Sequence, residues 1–234
     1  MERATYVTIK NKGVIETMSS IERMGTKDKE LYAKAKTTSL SFIDQLKEQN
    51  FLKTHITIEE DSLIRSVLDR VNAEGISVAK LERLITSNKL DEFLNSINPF
   101  GINGQDIMNY YSGLLIHQIL DVFELFKKYL MTVLDKKQLS LSGKEALGYL
   151  LNILDRRGIN HGFDEFIDKD LRNALGHSWY WFQNNIFYYV ADPDLKKTKS
   201  LTLAELFIKM RESSLLLSAF LDNAFERILE LDRK

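Results

Sequence analysis

The chain of 234 residues contains no cysteine and only two prolines, Pro99 and Pro193. Without cysteine there are no disulfides, no thiolate metal sites and no cysteine nucleophile. With so little proline, long uninterrupted helices are allowed. Net charge is equally scarce: 32 Lys and Arg nearly balance 33 Asp and Glu. No global basic field exists to draw in nucleic acid, so any such contact must use local charge. Long hydrophobic runs are missing as well. The most apolar stretches are interrupted by His117, Asp121 and Glu124, or by Ser218 and Asp222, and none offers the ~20 apolar residues of a membrane span. The N-terminus, Met1 to Tyr6, has no signal-peptide core. These absences lead to the expectation of a cytoplasmic protein with no membrane partner.

What is present is helical patterning over most of the length. A polar-rich helix over 27–49 carries Leu31, Leu40, Ile43 and Leu46. Thr57-x-x-Glu60 is a capping box, followed by apolar Leu63, Ile64, Val67, Leu68 and Val71. Asn72-Ala73-Glu74-Gly75 reads as a turn, and Ser77 as the cap of a further helix with Val78, Leu81, Leu84 and Ile85. A short helix covers 90–97. Before all of these, Tyr6–Ile9 and Val14–Ile15 suggest a small N-terminal hairpin. Asn98-Pro99-Phe100-Gly101 breaks the pattern and sets the expected boundary between a mostly helical region 1–100 and a helical bundle 101–234.

In the second region a long helix from about Gln105 to Asp135 shows a stripe of Ile107, Tyr111, Leu114, Leu115, Gln118, Val122, Leu125, Phe126, Tyr129 and Val133, with a period near 3.6. A helix over 143–156 follows, then a helix-compatible stretch from Asp164 to Leu175. Trp179–Gln183 and Ile186–Val190, joined by Asn184-Asn185, read as a β-hairpin. A lysine-rich loop at 196–199 leads to a second capping box, Thr202-x-x-Glu205, and a final helix over 202–231. The expected fold is mainly α, a bundle with one small hairpin.

Chemistry concentrates in Leu171-Arg172-Asn173-Ala174-Leu175-Gly176-His177. An Arg and a His five apart arise by composition alone. The pair Arg156 and His161 is such a case, and with Gly158 and Asn160 between them it reads as a helix end and loop. The Arg172 pair differs in context. Asn173 follows the arginine, a helix precedes it, and an aromatic strand follows the histidine. Asn173 and His177 are four apart and share a helix face. His177 falls at a helix C-terminus, where the dipole favours a cation, and Gly176 is the expected end of that helix. The blander reading pairs Arg172 with Asp168 or Asp170 and lets His177 cap a carbonyl. His117 lies off its helix's stripe and reads as a flank residue.

Motif and layout together resemble the HEPN family over about residues 103–234. The resemblance implies a metal-independent endoribonuclease that works as a homodimer on RNA, with two clusters across one cleft. It implies attack by the ribose 2′-hydroxyl, His177 moving the proton, Arg172 stabilising charge on phosphorus, and Asn173 orienting His177 or the phosphate. No cofactor and no metal are expected. A toxin or defence setting, with an antitoxin or other protein partner, belongs to the same expectation. Trp179, Tyr180, Lys196, Lys197 and Lys199 are the expected substrate-binding residues, through stacking and charge. Two rival readings are a non-catalytic HEPN bundle that binds RNA, nucleotide or protein, and a DNA-binding protein that uses residues 63–85 as a helix-turn-helix.

Overall fold

The computed structural model describes residues 25–54, 57–87, 89–97, 100–192 and 197–231. The expected hairpin at 6–15 lies outside them. Among the described residues are seven α-helices and three strands: α1 Thr26–Glu48, α2 Ile58–Thr86, α3 Leu90–Ile97, α4 Gly104–Val133, α5 Leu147–Arg156, α6 Lys169–Gly176, β1 Tyr180–Gln183, β2 Ile186–Asp192, β3 Lys197–Thr202 and α7 Leu203–Leu231. The mainly helical fold is as the periodicity predicts.

The helix starts follow their signals. Thr57 and Glu60 form the reciprocal cap of α2. Thr202 and Glu205 exchange the same pair of bonds at the head of α7. Asn103 and Asp106 cap α4. α4 lies at the centre of the fold. Besides the expected stripe, of which Ile107 and Leu114 are only partly buried, it buries Ser112, Ile116, Ile119, Phe123, Leu130 and Met131, because α2 packs against one flank and α7 against another. A helix buried on several sides needs apolar residues all round, which is why its stripe is broader than one face.

α1 lies along α7. Phe42 on α1, Phe220 on α7, Phe126 on α4 and Phe163 meet in edge-on and tilted contacts with centroids 4.9–6.3 Å apart. Gln45 binds the backbone of Asn160 in both directions, and Arg211 pairs with Asp28. After α1 the chain pairs with the end of α4 through Lys53 N–H to Val133 O and Asp135 N–H to Phe51 O. The core thus crosses the break near residue 100.

Three expectations need correction. There is no turn at 72–75: α2 runs unbroken through it. Gly75 is instead a place of close approach. A Cβ there would stand 3.4 Å from Gln118 Nε2, which donates to Val71 O. Ser77 caps nothing and bonds back to Ala73 O within the helix. Second, the lysine-rich stretch is not wholly a loop, since Lys197–Thr202 forms β3 and the hairpin becomes a three-stranded antiparallel sheet in the order β1-β2-β3. Third, Asp164–Leu175 is not one helix. A 3-10 turn at Phe163–Glu165 and a separate α6 share it. The hairpin turn itself is as expected. Asn184 and Asn185 have φ of 51° and 61°, the left-handed pair that a two-residue type I′ connection requires.

Candidate functional site

α6 starts where Asp168 accepts a bond from Leu171 N–H at 2.9 Å, which satisfies a donor that the first turn leaves open. Its Leu171, Ala174 and Leu175 are buried, Asn173 is exposed and Arg172 lies between the two. Two clamps from the sheet fix the helix. Tyr189 donates its hydroxyl to Asp168 Oδ2; burial and then the nearby carboxylates push that phenol well above its ordinary pKa. Lys199 pairs with Asp170 at 2.6 Å, and that hydrogen bond raises the lysine's pKa. Lys199, expected to bind substrate, is therefore engaged in holding α6.

The helix ends one step later than expected. Gly176 stays helical and His177 is the C-cap. Ser178 takes the left-handed conformation, φ 57°. Trp179 N–H donates to Ala174 O and Ser178 N–H to Leu175 O. This is the double-bonded helix end in which orphan carbonyls are satisfied by the two residues beyond the cap.

Arg172 pairs with neither Asp168 nor Asp170. Its Nη2 donates to Asn173 Oδ1 at 2.8 Å, and its Nη1 is buried with no acceptor among the described residues. Desolvation lowers its pKa, although an arginine keeps its charge under any ordinary condition. The guanidinium lies on Gly148 of α5. A Cβ built there would fall 2.8 Å from Nη1 and 2.9 Å from Cζ. Asn173, expected to orient histidine or phosphate, orients the arginine.

His177 is exposed. Its ring stacks on Trp179 with centroids 4.6 Å apart and an interplanar angle of 25°. No side-chain bond joins it to Arg172 or Asn173 among the described residues. Trp181 stacks on Tyr188, and both tryptophans remain about two-fifths exposed, 39% for Trp179 and 43% for Trp181. Tyr180 points the other way, toward Phe187 and the core, so of the two expected stacking residues only Trp179 faces outward. Lys197 is exposed at the start of β3, and Lys196 lies outside the described residues.

Of the other histidines, His55 lies outside the described residues and the remaining two separate cleanly. His161 is buried; its Nδ1 accepts from Phe163 N–H at 2.9 Å and its ring stacks on Phe163. That is a structural histidine, in keeping with the loop reading of its segment. His117 is exposed on α4, 3.7 Å from Asp121. Among the described residues no group of three His, Asp or Glu could hold a metal ion, and no helix is long and apolar enough to cross a membrane. Sequence reasoning missed Gly148. A glycine in the first turn of a helix has no pattern of its own, and only the partner 24 positions away gives it meaning.

The site therefore offers a fixed cation with an unspent donor, an exposed imidazole and an exposed aromatic surface on one helix end. No protein-family model, no curated protein and no solved structure matches the chain.

Proposed function

We propose that the protein is a cytoplasmic, metal-independent endoribonuclease of HEPN type. The observation that carries this reading is Arg172: a desolvated guanidinium without a carboxylate partner among the described residues, on the same helix end as an exposed imidazole. A half-buried cation without a counter-charge is less well solvated than a free one, and an oxyanion would offset that loss. Arg172 holds the scissile phosphate and stabilises charge as the ribose 2′-hydroxyl attacks phosphorus. The attack needs a proton removed and another delivered to the leaving 5′-oxygen. Each chain brings one His177, so two copies facing each other supply base and acid. The products are a 2′,3′-cyclic phosphate and a 5′-hydroxyl. A toxin or defence role with a protein antagonist fits such an activity.

The test is cleavage of single-stranded RNA in EDTA. The wild type cuts RNA and spares DNA, which lacks the attacking hydroxyl. His177→Ala and Arg172→Ala abolish cutting. Arg172→Lys loses most of it, because a point charge cannot replace the planar fork. Asn173→Ala is milder. Cutting that needs magnesium, or that survives in His177→Ala, sinks the assignment. Light scattering should show a dimer at micromolar concentration, and a monomer there would remove the composite site.

The second reading is a non-catalytic bundle that binds RNA, nucleotide or protein. The stacking of His177 on Trp179, with no hydrogen-bond partner to orient the imidazole among the described residues, favours it. It predicts RNA retention without cleavage. The DNA-binding reading needs a turn at 72–75, where α2 is continuous.

A further inference from the structure

We propose that Gly148 is a positioning residue: by lacking a Cβ it seats the Arg172 guanidinium on α5, where the fork meets one oxyanion of a phosphodiester. This rests on the reading of Arg172 as a phosphate ligand and adds what holds that arginine in place.

The guanidinium lies where the side chain of residue 148 would otherwise stand. Any Cβ at 148 would push it off α5. Nη2 is committed to Asn173 Oδ1, which fixes the plane of the fork, and Nη1 is left over and buried. One end of the fork is thus spent on the protein, and the other has no acceptor among the described residues.

α5 has Ala146 as its N-cap, whose side chain caps no N–H, and its first turn contains no acid. The carboxylates nearest in sequence are spent elsewhere: Asp168 caps α6, Asp170 holds Lys199, and Glu145, just before the N-cap, is bound by Ser142 and Gly143. An oxyanion would supply the counter-charge that they leave missing.

Gly148→Ala isolates the seat. The atoms in its way belong to the far end of a flexible side chain, so the arginine swings aside and the backbone need not move. Alanine also favours helix more than glycine does. A merely structural glycine would therefore give a variant that melts no lower than wild type and binds RNA as wild type does. The measurement is binding of a fluorescent mixed-sequence 2′-O-methyl single-stranded RNA, which lacks the attacking hydroxyl and so is not cut, as a function of salt, for wild type, Gly148→Ala, Arg172→Ala and the double variant. Each phosphate contact contributes about 0.7 to the slope of log affinity against log salt on a single strand.

We expect Gly148→Ala to keep the wild-type circular dichroism and melting temperature, to lose affinity, and to lose about one contact's slope. Arg172→Ala should show the same loss, and the double variant no more than either single one. Wild-type affinity and slope in Gly148→Ala, with a loss in Arg172→Ala, overturn the seat and leave the arginine's role standing. Undiminished binding in Arg172→Ala overturns both. Additive losses in the double variant overturn the claim that Gly148 acts through Arg172.

Discussion

His161 and His177 each lie five residues after an arginine, yet their surroundings differ. His161 is 3% exposed, accepts from Phe163 N–H and stacks on the Phe163 ring. Its removal leaves a cavity and a stranded donor, so His161→Ala should cost on the order of 2–4 kcal/mol in urea unfolding. His177 is exposed and loses only a stacking partner; His177→Ala should cost less than ~1 kcal/mol. Equal losses in the two variants would make His177 a structural residue and remove it from the site. Phe220, fully buried among Phe42, Phe126, Tyr129 and Phe163, should cost about 3–5 kcal/mol on change to Ala. The distinction between the two histidines was legible in the residues between each Arg and His. Arg172's partner was not. Local spacing nominated Asp168 or Asp170, but an N-cap and a lysine from β3 take those carboxylates, and the arginine turns to α5.

At the scale of elements, the approach to α5 is held by one carboxylate. Glu145 accepts from Ser142 N–H and Oγ–H and from Gly143 N–H. Desolvation by burial opposes its ionisation, but these bonds outweigh it and bring the pKa down from 4.5 to about 2. A carboxylate whose folded pKa lies below its unfolded value stabilises the fold above the unfolded pKa and loses that contribution as pH falls through the folded one. The stabilising part is therefore complete above 4.5 and fades toward 2. Glu145→Gln should melt lower than wild type at neutral pH, and the gap should close as pH falls through that window. A gap that stays constant with pH would show that the charge is not what matters. Because this turn sets the entry of α5, the same variant at neutral pH is a probe of the Gly148 seat. The capping boxes, the Asn184-Asn185 turn and the stripe on α4 were readable because each is a local pattern with a local cause. β3 was not. It carries Lys197, Lys199 and Ser200 around a single Leu201, the polar composition that keeps an edge strand from pairing with another chain, and such a strand looks like a loop. Gly75 misled for a related reason. Glycine marks both turns and close helix contacts, and only the position of Gln118 decides between them.

Across the whole molecule, the least readable feature is the docking of α1 on α7. The helix was evident from its own residues, but nothing in 27–49 names a partner 190 positions away, as in the bond from Tyr32 to Asp222. The consequence is a prediction about independence. Phe42, Ile43 and Leu46 are fully buried and Leu52 nearly so, all within one core with α4 and α7. Burying each such side chain contributes about 1.5–3 kcal/mol. Four of them therefore account for much of the ~5–15 kcal/mol by which a domain of ordinary stability is folded. A fragment of residues 101–234 loses all four, and it exposes Phe163 and Phe220 where Phe42 had covered them. The full chain should unfold in one cooperative transition, with far-UV and tryptophan signals coincident, since both tryptophans lie outside α1, in β1 and just before it. The fragment should show no cooperative transition and should bind a hydrophobic dye. If the fragment instead melts cooperatively near the temperature of the full chain, residues 25–54 are an attachment to a self-sufficient bundle, and the core shared between them contributes little to stability.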